Sequence, residues 1–246
     1  MEYQAAPVLI IALDGMEESQ ALALARELAP LTAQGPLWGF KVNDLLLRCG
    51  VQIIRRLKTH GRVFADPKLY DIPNTVANQV ALLADSGADL ITLHCSGGPD
   101  MLLAARQAAQ NVSAGSGEKP GLLGVTVLTA MNDATTQTVY GQNAAPTVEK
   151  LAGLALAAGL DGIVCSPLEL ALMDRLDPRR ALLRVTPGVR PADYAIPDDQ
   201  QRVMTPAAAM KHGADLLVVG RPVTGAADPV AACLALGREL ESLDSR

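Results

Sequence analysis

The sequence predicts a single (β/α)8 barrel, the TIM-barrel form of the α/β class, that occupies residues 1–246 as one domain. Three observations support this fold class. The 246 residues match the length of such barrels, which is about 250 residues. Hydrophobic residues make up 49% of the chain but aromatic residues only 3%, so Ala, Leu, Val and Ile must fill a core of alternating strands and helices. The third observation is a junction that recurs along the chain.

In this junction a helical stretch ends at glycine, one residue follows, and aspartate then precedes an apolar run. It occurs at residues 87–89, 159–161 and 213–215, which place Asp89, Asp161 and Asp215 before the apolar runs. Glycine just past a helix can adopt the left-handed conformation that closes it. Each junction therefore predicts a short turn from a helix into a buried strand, and the repetition predicts repeated βα units.

Apolar runs bounded by such signals predict eight strands. They are residues 8–14, 37–42, 63–68, 90–96, 122–129, 162–166, 183–186 and 216–220. Amphipathic helices are predicted between them, for example where Leu46, Cys49, Ile53 and Leu57 recur at helical spacing. Eight βα units favour a closed barrel over an open doubly wound sheet. The glycine-rich turn typical of that sheet is missing after the first strand, where Asp14 follows.

Composition and charge argue against several classes of protein. The longest apolar runs are far shorter than the ~20 residues of a membrane span, so we expect a cytoplasmic protein without a membrane partner. A formal net charge of −5 argues against broad binding of nucleic acid. Cys49, Cys95, Cys165 and Cys233 stand far apart and are expected to be buried thiols. The spacing of histidines and carboxylates predicts no metal site.

Polar side chains stand at the carboxyl ends of the predicted strands, where barrels of this kind gather their active sites. Asp66 and Lys68 are two residues apart on the third strand, so their side chains are predicted to point the same way. Asp71 follows on the departing loop, and Lys41 ends the neighbouring strand. Four converging charges favour an active site over a purely structural ion-pair network. His94, between two apolar residues, is predicted to form part of the barrel wall.

The last two strand ends predict a phosphate site. Gly188 and Gly220 allow a ligand to approach backbone N–H groups, and Arg190 and Arg221 supply guanidinium donors. Loops after the seventh and eighth strands are the customary phosphate position in this fold. The segment at residues 191–201 is long enough to form a lid over such a ligand.

Residues 66–75 resemble the signature of the orotidine 5′-phosphate decarboxylase family, Asp-x-Lys-x-x-Asp-Ile-Pro-Asn-Thr. Other stretches that look like family blocks extend over nearly the whole chain. They are residues 12–14, 40–42, 94–98, 125–131, 186–191, 204–206 and 219–224. The resemblance implies decarboxylation of orotidine 5′-monophosphate to uridine 5′-monophosphate by a homodimer that uses no metal or cofactor.

The resemblance also implies catalytic roles for four residues. Lys68 would donate a proton to C6 of the pyrimidine, and Asp66 would lie beside the departing carboxyl group. Lys41 would bridge Asp66 and the ribose. Asp71 would enter from the partner subunit, so that the two active sites of the dimer are shared.

Further contacts to the nucleotide follow from the same resemblance. Asp14 would hold a ribose hydroxyl, Thr75 would reach the substrate from the partner subunit, and Thr129 would lie near the pyrimidine. The phosphate would be bound by Arg190, Gln200, Gly220 and Arg221.

Three residues depart from the common family pattern. Pro67 stands where an aliphatic residue is usual, Tyr70 where histidine is frequent, and Asn43 where glycine commonly follows Lys-Val. Proline removes a ladder donor, which is tolerable at the last residues of a strand.

Two alternative functions remain open. Related sugar-phosphate enzymes, including hexulose-phosphate synthase, resemble the Asp-x-Lys-x-x-Asp core but use magnesium and typically have glutamate in place of Lys41. A barrel that binds phosphate without catalysis is the other alternative, and the complete set of Lys68, Asp66 and Asp71 argues against it.

Overall fold

Residues 8–111, 119–191 and 204–244, the part of the chain that the computed structural model describes, contain eight parallel strands that close into a barrel in sequence order. The strands are β1 (Leu9–Ala12), β2 (Leu37–Val42), β3 (Arg62–Leu69), β4 (Leu90–His94), β5 (Gly121–Val125), β6 (Gly162–Val164), β7 (Leu183–Thr186) and β8 (Leu216–Val219). Each strand pairs with the next, and β8 pairs with β1. The predicted (β/α)8 barrel is confirmed.

Helices connect the strands along the outside of the barrel. They are α1 (Glu18–Leu28), α2 (Pro30–Gln34), α3 (Asp44–Cys49), α4 (Gln52–Lys58), α5 (Pro73–Asp85), α6 (Pro99–Gln110), α7 (Asp133–Tyr140), α8 (Ala144–Ala157), α9 (Leu170–Leu176), α10 (Pro206–Lys211), α11 (Arg221–Thr224) and α12 (Pro229–Asp244). The helical spacing that begins at Leu46 is divided between α3 and α4, because Gly50 adopts a left-handed φ of 65°. Among the described helices none is long and apolar enough to cross a membrane.

Two apolar clusters follow from the alternation of side chains along the strands. The inner cluster fills the barrel with Ile10, Phe64, Leu90, Leu123, Val185, Leu216 and Val218. The outer cluster lies between the strands and the helices. On β3, for example, Phe64 belongs to the inner cluster and Ala65 to the outer one. Asp66 follows on the inward face, so polar residues begin where the inner cluster ends.

The three junction aspartates fasten neighbouring strands together. Asp89, Asp161 and Asp215 directly precede β4, β6 and β8. Their carboxylates accept backbone N–H groups at 2.7–2.8 Å from the preceding strand's Val63, Leu122 and Arg184. They also form ion pairs with Lys58, Arg106 and Arg180. The sequence predicted the turns, and the structure adds that their aspartates bind the neighbouring strand.

We expect Asp161→Ala to lower the free energy of unfolding by ~1–3 kcal/mol, because it leaves the Leu122 N–H without its partner. The control is Arg106→Ala, which removes only a partly exposed ion pair and should cost at most ~1 kcal/mol. Urea unfolding of both variants measures the two losses of unfolding free energy, provided that the dependence of this free energy on urea concentration is the same as in the wild type. Equal losses would show that the ion pair, and not the bond to the backbone, supplies the stability.

Burial agrees with expectation for three of the four cysteines. Cys95, Cys165 and Cys233 are buried, and burial raises the pKa of each thiol to about 12. The expectation is wrong for Cys49, which is only partly buried. It ends α3, a short helix of which Leu45 alone is buried, so this helix lies at the surface.

Candidate active site

The carboxyl ends of the strands surround a cavity of about 560 Å³. Among the described residues, it is lined by side chains of β1, β2, β3, β5, β6 and β8, together with the loops that follow β1, β5, β7 and β8. The cavity includes nine of the residues that the sequence suggested for a site: Asp14, Lys41, Asp66, Lys68, Thr129, Gly188, Arg190, Gly220 and Arg221.

Four charged side chains form a continuous chain of ion pairs on one side of this cavity. Lys41 Nζ lies 2.6 Å from Asp14 Oδ2 and 3.0 Å from Asp66 Oδ2. Lys68 Nζ lies 2.8 Å from the same Asp66 oxygen. Anions and cations therefore alternate from Asp14 through Lys41 and Asp66 to Lys68. Three of the four charges that the sequence predicted to converge belong to this set, and the fourth member is Asp14 instead of Asp71.

The central pair of this chain is buried, with Asp66 6% and Lys41 7% exposed. Burial opposes ionisation of Asp66, but Lys41 and Lys68 outweigh it and hold the pKa of the carboxyl below its ordinary value. Burial also opposes the charge of Lys41, and Asp66 and Asp14 outweigh it and raise the pKa of the ammonium. Both groups therefore remain ionised throughout the neutral pH range.

The backbone of β3 is irregular where it carries these charges. Its register against β4 shifts between Ala65 and Leu69, which marks a bulge. Lys68 has a left-handed φ of 51°, which is uncommon for a residue with a side chain. Pro67 stands inside the bulge, where the ladder is already interrupted. Asp66 and Lys68 do meet on one side of the strand, but across a bulge that regular alternation did not predict.

Two further residues hold Asp66 in place. Thr92 Oγ1 donates a hydrogen bond to Asp66 Oδ1 at 2.8 Å, and Asn43 Nδ2 donates one to the Asp66 backbone oxygen at 2.6 Å. Asn43 is one of the departures from the family pattern, and its amide supplies a bond that glycine lacks. Sequence reasoning missed Thr92, although a polar residue at an inward position of β4, two residues before His94, was an available signal.

His94 ends β4 beside Tyr70, with 5.6 Å between the ring centroids. Burial and then the charge of Lys68 lower the pKa of His94, so its imidazole is neutral at pH 7. The half-buried ring packs against Tyr70 on the loop that follows β3. This position fits the predicted role of His94 in the barrel wall.

The predicted phosphate residues lie at the strand ends across the barrel from β3. Gly188 and Arg190 follow β7, which stands four strands from β3, and Gly220 and Arg221 follow β8. Gly188 has a φ of 78°, a left-handed conformation that suits glycine, and α11 begins at Arg221. Gln200 lies outside the described residues, as does most of the predicted lid.

Asp71 and Thr75 are not brought to this cavity. Asp71 is exposed, and its Oδ1 accepts the backbone N–H of Ile72 at 2.6 Å. Thr75 lies partly buried in the first turn of α5. Neither residue is among the described ones that line the cavity of their own chain.

Within the described ranges, no three His, Cys, Asp or Glu side chains are grouped so that they could hold a metal ion. The cavity carboxylates Asp14 and Asp66 both contact lysine ammonium groups. That the decarboxylation implied by the resemblance needs no metal stays a prediction, and an activity assay in excess chelator can test it.

The fold and the charged cavity define this chain as an enzyme of the (β/α)8-barrel class. A family model described as "Orotidine 5'-phosphate decarboxylase / HUMPS family" matches residues 7–236. The chain belongs to this family, and the resemblance seen in residues 66–75 is confirmed.

Curated relatives match the chain over nearly its whole length. A protein of Halorhodospira halophila named orotidine 5′-phosphate decarboxylase is 46% identical over 239 residues, which cover 95% of this chain and 96% of the relative. A Laribacter hongkongensis protein of the same name is 44% identical, with 94% of this chain and 92% of the relative covered.

Solved structures resemble this chain over nearly its whole length. The orotidine 5′-phosphate decarboxylase of Lactobacillus acidophilus has a TM-score of 0.77 and 33% identity, covering 96% of this chain and 99% of its own. An uncharacterized conserved protein from Geobacillus kaustophilus has a TM-score of 0.79 and 31% identity, covering 94% of this chain and 99% of its own.

Proposed function

We propose that the chain converts orotidine 5′-monophosphate (OMP) into uridine 5′-monophosphate (UMP) and carbon dioxide without a metal or cofactor. The observation that carries this proposal is the row of alternating charged side chains, from Asp14 to Lys68, on one side of the cavity. Loss of carbon dioxide from a ring carbon leaves an electron pair that no cofactor accepts. The protein must then stabilise that charge with a cation already in position.

Lys68 is suited to this task because Asp66 holds its ammonium group at 2.8 Å from a buried carboxylate oxygen. In the proposed step the bond between C6 and the carboxylate carbon breaks, and its electron pair stays on C6 while carbon dioxide leaves. Lys68 stabilises the electron pair and then transfers a proton to C6. Water returns a proton to the neutral lysine.

Asp66 keeps its negative charge next to the reacting carboxylate in this proposal. Two lysines contact its Oδ2, so the anion fixes both cations before substrate binds. Its repulsion of the substrate carboxylate would raise the energy of the bound ground state.

The other cavity residues are assigned to the remainder of the nucleotide. Lys41 joins Asp66 to Asp14, whose half-exposed carboxylate can accept a ribose hydroxyl. Thr129 lines the cavity on the β5 side, where the pyrimidine would lie. The phosphate is assigned to Arg190, Gln200, Gly220 and Arg221. Binding energy from this remote group can support the chemistry at C6.

We expect Arg221→Ala to weaken the binding of UMP by ~1.5–3 kcal/mol, the range of a hydrogen bond to a charged group. The binding of uridine, which has no phosphate, should be nearly unchanged. Arg179→Ala, an exposed arginine outside the described cavity lining, is the matched control. Calorimetric titration of each variant with both ligands makes the comparison. If the affinities for UMP and for uridine fell by the same factor, Arg221 would not be a phosphate ligand.

We also propose that two copies of the chain share their active sites. Asp71 stands between Tyr70 and Ile72, whose large side chains are 63% and 67% exposed on the loop that follows β3. Apolar side chains that flank an exposed carboxylate suit a surface covered by another copy. Asp71 and Thr75 would then complete the partner's site. A cytoplasmic location and the lack of a nucleic-acid partner stay predictions.

The experiment that tests the activity offers the purified protein two substrates. We expect OMP to lose its ultraviolet absorbance and to yield UMP and carbon dioxide in equal amounts.

The alternative is a magnesium-dependent sugar-phosphate reaction, which Lys41 disfavours because it places a cation between the two cavity carboxylates. Turnover of hexulose phosphate with magnesium and not of OMP would establish that alternative. UMP binding without any turnover would indicate a non-catalytic barrel.

A further inference from the structure

Thr92 is a buried polar residue beneath the charged side of the cavity. It is 0% exposed and lies in the middle of β4. Leu90, two residues earlier, belongs to the cluster inside the barrel, whereas Ile91 and Leu93 pack outside it. Alternation therefore directs Thr92 inwards, and its hydrogen bond to Asp66 agrees.

The Thr92 hydroxyl joins two parts of the charged cluster. It donates to Asp66 Oδ1 at 2.8 Å and accepts the backbone N–H of Lys68 at 3.0 Å. The other Asp66 oxygen contacts both lysines. With one oxygen held by Thr92 and the other by cations, the plane of the carboxylate is fixed.

The second bond matters because the Lys68 backbone is in an uncommon conformation. A left-handed residue with a side chain persists only where its surroundings hold it. The register between β3 and β4 is interrupted at this point, and the Lys68 N–H bonds to the Thr92 side chain. The hydroxyl thus supports the backbone from which the Lys68 side chain extends.

We propose that Thr92 is a positioning residue for the decarboxylation, which fixes the Asp66 carboxylate and the Lys68 backbone so that the ammonium group meets C6. This inference rests on the proposed function and deepens it. Thr92 is not among the described residues that line the cavity, so it acts through its two neighbours and not on the substrate. Its removal should therefore lower the rate of chemistry and spare nucleotide binding.

The test compares Thr92→Val, which keeps the shape and removes the hydroxyl, with Thr92→Ser, which keeps the hydroxyl. We expect the valine variant to lower kcat for OMP on the order of 100-fold, the scale of a small misplacement of reacting groups. Its affinity for UMP should change by less than about threefold, since the interaction is needed mainly in the transition state. The serine variant should stay within about fivefold of the wild-type kcat.

Thr126→Val is the matched control. Thr126 is also fully buried, directly after β5, and its hydroxyl donates to the Val164 backbone oxygen at 3.3 Å, away from the charged cluster. We expect it to leave kcat within about twofold of the wild type. Circular dichroism and the unfolding midpoint establish that each variant is folded.

A wild-type rate in Thr92→Val would overturn the proposal, and so would a serine variant as slow as the valine variant. If the valine variant does not fold, Thr92→Ser and Thr92→Ala replace the pair, since they differ in one oxygen atom. Equal kcat values in that pair would also overturn it. Failure of the wild type to turn over OMP is a separate outcome, which removes the proposed function and the positioning role with it.

Discussion

Lys68→Ala should abolish decarboxylation, with kcat for OMP lower by at least ~10⁴-fold. The variant loses both the cation that stabilises the developing charge and the proton donor, two effects that are each worth ~10²-fold or more. UMP affinity should stay within about tenfold, because most of the interaction exists only in the transition state. Stopped assays at high enzyme concentration measure the residual rate.

Lys150→Ala is the control for this substitution, because Lys150 is an exposed lysine near the middle of α8. It should retain the wild-type kcat. Parallel losses of UMP affinity and of kcat in Lys68→Ala would contradict the assignment, because they would show that Lys68 only holds the ligand.

Activity should reappear when inactive Lys68→Ala is mixed with inactive Asp71→Ala under conditions that let subunits exchange. In the shared-site proposal each site takes Lys68 from one chain and Asp71 from the other. A mixed dimer then holds one doubly damaged site and one intact site. Random exchange makes about half of the dimers mixed, so roughly a quarter of the wild-type activity per site is expected.

The control for this experiment mixes Lys68→Ala with Asp66→Ala. Both of these residues line the same chain's cavity, so no mixed dimer contains an intact site and no activity should return. Differently tagged subunits establish that exchange has occurred. If exchange is complete and the first mixture stays inactive, Asp71 serves its own chain and the shared-site proposal is wrong.

Local patterns were sufficient to predict the barrel. The limits of β2 and β7 agree with the sequence prediction at both ends, because apolar runs and turn signals coincide there. The prediction for the fifth strand, residues 122–129, extends too far, since β5 ends at Val125. The chain leaves the sheet after that residue, and Val127 and Thr129 line the cavity. An apolar run alone does not distinguish a strand from an apolar cavity wall.

The charged cluster was predictable for a similar reason, because Asp66 and Lys68 lie two residues apart and strand ends meet at one edge of the barrel. The bulge that turns Lys68 was not predictable, since it depends on how β3 registers against β4. The role of Thr92 depends on the same pairing between distant segments. The proposed roles of Asp71 and Thr75 depend on a second copy of the chain, which the structure of one chain does not contain.

The most direct test of the central claim is the turnover of OMP by the purified protein in excess chelator, with the metal content measured on the same sample. We expect an undiminished rate and complete conversion to UMP, because a protein cation, Lys68, stabilises the charge at C6. Loss of activity in the chelator and its return with magnesium alone would show that the reaction depends on a metal ion and would rule out the proposed mechanism.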